Sequence, residues 1–108
     1  LGACDAAAIA ATPHGTPLRT AGLVVTRQRP GTATGVVFIT LEDETGSINL
    51  IVWSSLVERY RREVLGARLL GVDGEVQREG LVVHVIARRL HDWSALLGNL
   101  AAPSRDFH

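Results

Sequence analysis

Residues Val36–Trp53, VVFITLEDETGSINLIVW, carry the clearest structural signal in the chain. Val36 to Glu42 is rich in β-branched and aromatic side chains and reads as a strand. Asp43 to Gly46 (DETG) is a turn with glycine at its last position, and Ser47 to Trp53 returns as a second strand. Alternate residues of a strand point to opposite faces. Val37, Ile39 and Leu41 therefore share a face on the first strand, and Ile48, Leu50 and Val52 share one on the second. These all-aliphatic sets are the expected core. The other face carries Phe38, Thr40, Asn49 and Trp53.

Upstream, Ala21 to Gln28 (AGLVVTRQ) reads as a strand, followed by a loop over 29–35 (RPGTATG). Residues 1–17 are alanine-rich and interrupted by Pro13, Gly15 and Pro17, which predicts an incoming linker with one helical turn. Downstream of the hairpin the period changes. Ser55 with Glu58 three residues later is a capping-box pattern. Leu56, Val57, Tyr60, Val64 and Leu65 then fall on one helical face, Glu58 and Arg62 form an i,i+4 pair, and Gly66 stands at the expected left-handed stop. Two further strands, Arg68–Gln77 and Leu81–Leu90, flank a turn at Arg78-Glu79-Gly80, and Gly71 and Gly74 predict a bulge or tight curvature in the first of them. Asp92 is placed to cap a short helix running to Leu100, with 103–108 as a tail.

This order gives an all-β chain with one main helix: a five-stranded OB-fold Greek-key barrel whose helix lies between strands three and four. A generic small sheet packed on one helix is the competing arrangement. The division expected is a linker over 1–17, the barrel over 18–91, and a helix and tail over 92–108.

At 108 residues and 11.6 kDa the chain is one domain. Eleven basic and eleven acidic side chains cancel, which excludes binding to nucleic acid by bulk charge alone. The basic residues are all arginine, as a GC-rich genome would favour, and the single cysteine, Cys4, has no internal disulfide partner. The absence of methionine predicts that Leu1 is not a natural start and that the sequence is part of a longer protein. No apolar run approaches the roughly 18 residues of a membrane span.

The sequence offers no catalytic constellation. Glu42, Asp43 and Glu44 are consecutive carboxylates, but they stand at a hairpin turn, where such residues serve the backbone. His14, His84, His91 and His108 lack metal-ligand spacing with one another or with Cys4, so no metal site is expected. Binding chemistry is better supported. OB-folds bind single strands on the face of their second and third strands, flanked by the loops joining strands one to two and four to five. That layout puts Phe38, Thr40, Asn49 and Trp53 on the binding face, Arg27 and Arg29 at the first loop, and Arg78 at the second. Aromatic rings stack bases, the amide meets base edges, and the arginines hold phosphate. The segment Arg19–Gly31 holds three arginines and no acid, so local charge there is positive.

The runs AGLVVTRQRPGTATGVVFITLEDETGSINLIVW and ERYRREVLGARLLGVDGEVQREGLVVHVIARRLHD, with the closing SRDFH, resemble the C-terminal OB domain of bacterial C-family DNA polymerase alpha subunits. Within that group the RQRPGTATG loop, the FITLEDETG hairpin and the tail are most similar to the error-prone homologue of damage-induced mutagenesis. The resemblance covers about Leu18 to Leu97 plus the tail. It implies a cytoplasmic translesion polymerase as parent, whose magnesium-dependent catalytic aspartates lie in a palm domain outside these residues. No residue here then inherits a catalytic role or calls for a cofactor, and what carries over is association with single-stranded template DNA. In the anticodon-binding relatives of the fold, the aromatic matching Phe38 and the amide near Asn49 face nucleic acid. The family also works with a mutagenesis accessory protein and the sliding clamp. No clamp-binding peptide is visible, so clamp contact is expected to be indirect. Two readings compete with DNA binding: docking of the accessory protein, which the neutral charge favours, and tRNA binding.

Overall fold

The computed structural model describes residues 3–29 and 35–97. Its strands are β1 (Ala3–Cys4), β2 (Pro17–Gln28), β3 (Val37–Asp43), β4 (Gly46–Val52), β5 (Leu69–Glu79) and β6 (Val82–Asp92). Its helices are α1 (Ala6–Ala10), α2 (Ser54–Arg59) and α3 (Arg61–Gly66). β2, β3, β4, β6 and β5 are neighbours in that order, and β5 returns to pair with β2, closing a five-stranded barrel. Every ladder of the barrel is antiparallel except a short parallel join of β4 to β6 at Leu50–Val85 and Ile51–Ile86. The fold is the expected OB barrel, with α2 and α3 between its third and fourth strands.

The core follows from the β3–β4 alternation. Ile39, Leu41, Leu50 and Val52 are fully enclosed and meet Leu70, Val72, Val76 and Val85 from the far wall. Strand β5 passes through this core by using glycine. Its register with β6 shifts between Asp73 and Gly74, as the two glycines predicted. A Cβ at Gly74 would lie 2.5 Å from the Ile86 carbonyl oxygen, and one at Gly71 would lie 2.8 Å from the Trp93 ring.

Three features depart from the sequence-based expectation. First, residues 3–12 are packed against the barrel. β1 pairs in parallel with Arg19 and Thr20 of β2, and α1 buries Ala6 and Ile9. Asp5 caps α1 by accepting the Ala8 N–H at 2.9 Å. The hairpin turn holds the same helix: Asp43 Oδ2 accepts the Ala6 N–H at 2.8 Å and Thr45 Oγ1 accepts the Ala7 N–H at 3.0 Å. Strand β2 correspondingly begins at Pro17, well before Ala21.

Second, the helix is split. Tyr60 (φ −113°, ψ 37°) interrupts it, so α2 and α3 each run for six residues. Trp53 occupies the N-cap without a side-chain hydrogen bond, and the Ser55–Glu58 capping box does not form. Gly66 is the last residue of α3, not a left-handed stop. Glu58 and Arg62 make no ion pair, and Leu65 is 54% exposed. With the helix broken at Tyr60, Val57 and Val64 are buried while Leu65 stays outside the buried face.

Third, β2 carries a bulge between Val24 and Thr26. One extra residue exchanges the two faces of a strand. Downstream of it, Arg27 stands opposite Ile39, a core residue, while Thr26 and Gln28 face outward with Thr40 and Phe38.

At the C-terminal end, Asp92 Oδ1 accepts the Ser94 N–H at 2.9 Å and a helical turn follows over 94–97. The rest of the expected final helix and the tail lie outside the described residues. Among the described residues no helix is long and apolar enough to cross a membrane.

Candidate nucleic-acid interface

The outward face of β2, β3 and β4 is a ruled surface. One row runs Gln28, Phe38, Ile51 and the next runs Thr26, Thr40, Asn49. Directly opposed residues of antiparallel strands hold their Cβ atoms about 5 Å apart, so each row is a continuous strip of side chains. Ile51 is buried at the β4 end of its row, while Gln28, Thr26 and Asn49 are exposed and Phe38 and Thr40 are partly so. Trp53 continues the β4 alternation beyond the strand's last residue and is half exposed. Four of the seven sequence-predicted residues, Phe38, Thr40, Asn49 and Trp53, therefore share this side of the barrel. Thr26 and Gln28 join them, and sequence reasoning missed both because the bulge that turns them outward leaves no mark in the residue pattern.

The arginines divide differently. Arg27 follows the core-facing series of β2 to the end of the barrel, where its Nε donates to the Val64 carbonyl at 2.6 Å and its Nη2 donates to the Ala67 carbonyl. These carbonyls belong to the unsatisfied end of α3, so Arg27 serves as its cap. Arg78 does the same for α1. Its Nη2 donates to the carbonyls of Ala10 (2.7 Å) and Thr12 (2.8 Å), and its backbone N–H donates to His14 Nδ1 at 2.9 Å. Arg78 thus fastens the N-terminal segment to the β5–β6 hairpin. Arg29, at the root of the loop after β2, is exposed and makes no hydrogen bond or ion pair among the described residues. The structure therefore does not gather Arg27, Arg29 and Arg78 beside Phe38; only Arg27 and Arg29 are near each other.

The acidic turn is occupied by its own backbone. Asp43 Oδ1 accepts the Thr45 N–H and hydroxyl, both at 2.8 Å, and the Gly46 N–H at 3.1 Å. Desolvation pushes the Asp43 carboxyl up, but the hydrogen bonds from Thr45, Ala6 and Gly46 outweigh it and hold the group below its ordinary range. On the opposite wall, Arg19 donates to Asp73 at 2.6 Å, and His91 Nε2 lies 3.2 Å from the same carboxylate while its ring stacks on Trp93. The Arg19 hydrogen bond lowers the Asp73 carboxyl, burial opposes it, and the His91 hydrogen bond adds to the lowering. A carboxyl depressed in the folded chain stabilises above its unfolded value near 3.9, and that contribution is lost as pH falls through the folded value. Stability is expected to fall between about pH 5 and pH 2. Asp73→Asn should show a smaller loss of urea midpoint from pH 6 to pH 3 than the parent; equal losses would refute the assignment.

Comparison with known proteins agrees with the fold. Residues 18–92 match the family described as OB-fold nucleic acid binding domain. The chain is 64% identical over 104 residues to a protein named error-prone DNA polymerase from Azoarcus sp. (strain BH72), covering 96% of this chain and 10% of that one. A protein of the same name from Alkalilimnicola ehrlichii is 59% identical over 103 residues, covering 95% and 10%. The chain thus spans about a tenth of the length of the curated relatives it matches. Among solved structures, asparaginyl-tRNA synthetase from Pyrococcus horikoshii shares the fold with a TM-score of 0.72 at 22% identity, covering 86% of this chain and 22% of that one. The second OB-fold domain of replication protein A from Methanococcus maripaludis does so with a TM-score of 0.58 at 18% identity, covering 74% and 86%. By closed barrel, strand order and sequence match together, the chain belongs to the OB-fold nucleic acid binding domain family.

Proposed function

We propose that this chain is the single-stranded DNA-binding module of an error-prone translesion DNA polymerase, non-catalytic by itself, and that template DNA lies across β3 and β4. The observation that carries the reading is the exposed side on which Phe38 adjoins a polar strip of Thr26, Thr40 and Asn49, with Trp53 beyond Phe38 at the end of β4. Aromatic rings hold bases without regard to sequence, and the hydroxyl and amide groups meet base edges of any kind, which suits a template of arbitrary sequence. The relatives' shared name supports a polymerase parent, which would bring its own metal-dependent active site in other domains and operate in the bacterial cytoplasm. Net neutrality fits a tethered module, since the rest of such a parent supplies most of the electrostatic grip.

Each base stacked on an aromatic contributes about 1–3 kcal/mol. Phe38→Ala and Trp53→Ala should each weaken binding of an oligothymidylate by about tenfold or more. Fluorescence anisotropy at several salt concentrations measures this. Absence of binding by the parent chain at low salt, or unchanged affinity in both variants, would overturn the reading.

A second reading, docking of the mutagenesis accessory protein, is favoured by the β5–β6 hairpin tip, where Leu81 is 99% exposed and Val82 is half exposed. A pull-down of the accessory protein that survives Phe38→Ala and fails in Leu81→Ser would support it. Retention by both variants or by neither would count against it.

A further inference from the structure

The two ends of the barrel differ in charge. The acidic turn Glu42–Glu44 closes one end of β3, and arginines gather where β3 begins, around the end of α3. There, Arg27, Arg29 and Arg61 share a cleft of about 280 Å³ with Gln28, Val64 and Leu65, and no carboxylate lines it. Two arginines elsewhere pair with acids, Arg19 with Asp73 and Arg88 with Glu75. In this cleft Arg27 is matched only with backbone carbonyls, and Arg29 and Arg61 have no ion-pair partner among the described residues.

We propose that this cleft binds a phosphate group of the nucleic-acid backbone, held by Arg29 and Arg61 above the fixed guanidinium of Arg27. Three cations around one small concavity repel one another, and an anion between them removes that repulsion. Guanidinium presents its donors in a planar fork that matches phosphate oxygens. Arg27 is positioned before any ligand arrives, because two carbonyls fix it, so it adds charge without an ordering cost of its own. Leu65, exposed on the rim, keeps one side of the cleft apolar and limits screening by water. Gln28 belongs both to this cleft and to the Phe38 row, so a strand stacked on Phe38 has the cleft beside it. The inference rests on the DNA-binding reading and extends it by giving the strand a path from the aromatic side toward α3.

The test separates the two ideas by using two probes, inorganic pyrophosphate and an oligothymidylate, with amide chemical shifts of the 108-residue chain as readout; the closed barrel contains its own core. Both probes are expected to shift the amides of Gln28, Val64 and Leu65. The double variant Arg29→Gln/Arg61→Gln should lose the pyrophosphate shifts. It should also lower the slope of log affinity against log salt for the oligonucleotide by about 0.7 for each phosphate no longer neutralised. Arg62→Gln, on the solvent side of α3, is the control, and Phe38→Ala should weaken binding without changing the slope. Oligonucleotide binding with an unchanged slope in the double variant overturns the cleft and leaves the stacking side standing. Pyrophosphate shifts without oligonucleotide binding overturn the strand as the source of the phosphate and overturn the DNA-binding reading with it. Absence of cleft shifts with either probe overturns the phosphate site outright.

Discussion

Gly74→Ala is expected to destabilise the chain by about 3 kcal/mol, at the upper end of overpacking costs. For a domain of this size that lowers Tm by roughly 15 °C. The added methyl would stand 2.5 Å from the Ile86 carbonyl oxygen and 2.8 Å from Val85 Cγ1. The side chain could shift, but the carbonyl is fixed by the β5–β6 ladder, so either the register break at Asp73–Gly74 or the ladder must move. Gly66→Ala provides the contrast. Nothing lies within 4 Å of a Cβ there and the residue ends α3 with no left-handed backbone, so alanine should stabilise by about 0.5 kcal/mol through helix propensity. Thermal melts of the two variants check both signs. A neutral Gly74→Ala would show that the β5 bulge is not required for closure.

Arg27→Ala is expected to cost about 2 kcal/mol of stability, because its guanidinium satisfies two carbonyls at the end of α3 and hydrogen bonds to a charged group are worth about 1.5–3 kcal/mol. Arg27→Lys should not restore it, since an ammonium cannot reach both carbonyls with a planar fork. The measurement is a urea midpoint for each variant alongside Arg29→Ala, an exposed arginine for which little change is expected. If Arg27→Ala melts like the parent and only loses DNA affinity, Arg27 is a nucleic-acid ligand and not a structural cap.

These two positions also show how far the residue pattern reaches. Gly71 and Gly74 mark their own anomaly, because glycine weakens a strand interior and stands there when the backbone must bend or approach a neighbour closely. The β3–β4 hairpin is legible for a similar reason. Burial on one side imposes strict alternation on Ile39, Leu41, Ile48 and Leu50, and the turn residues bound it sharply. The outward Phe38, Thr40 and Asn49 follow from the same alternation. Arg27 is not legible. A bulge at Val25 adds no distinctive residue, yet it reverses which side of β2 every later side chain occupies. The helix differs in detail from its sequence pattern: Tyr60 is compatible with helix, so no residue marks the break there that leaves Val57 buried on one piece and Val64 on the other.

Local periodicity and turn chemistry are enough to specify the barrel, its order of strands and helical segment, and the aromatic and amide side chains on β3 and β4. What the arginines do emerges only once the barrel has closed. A guanidinium on a long side chain has no preferred environment at the level of sequence. Its role depends on which carbonyls, carboxylates or open clefts the closed barrel brings within reach: Arg27 and Arg78 meet helix ends, Arg19 meets Asp73, and Arg29 and Arg61 face a cleft that no carboxylate lines.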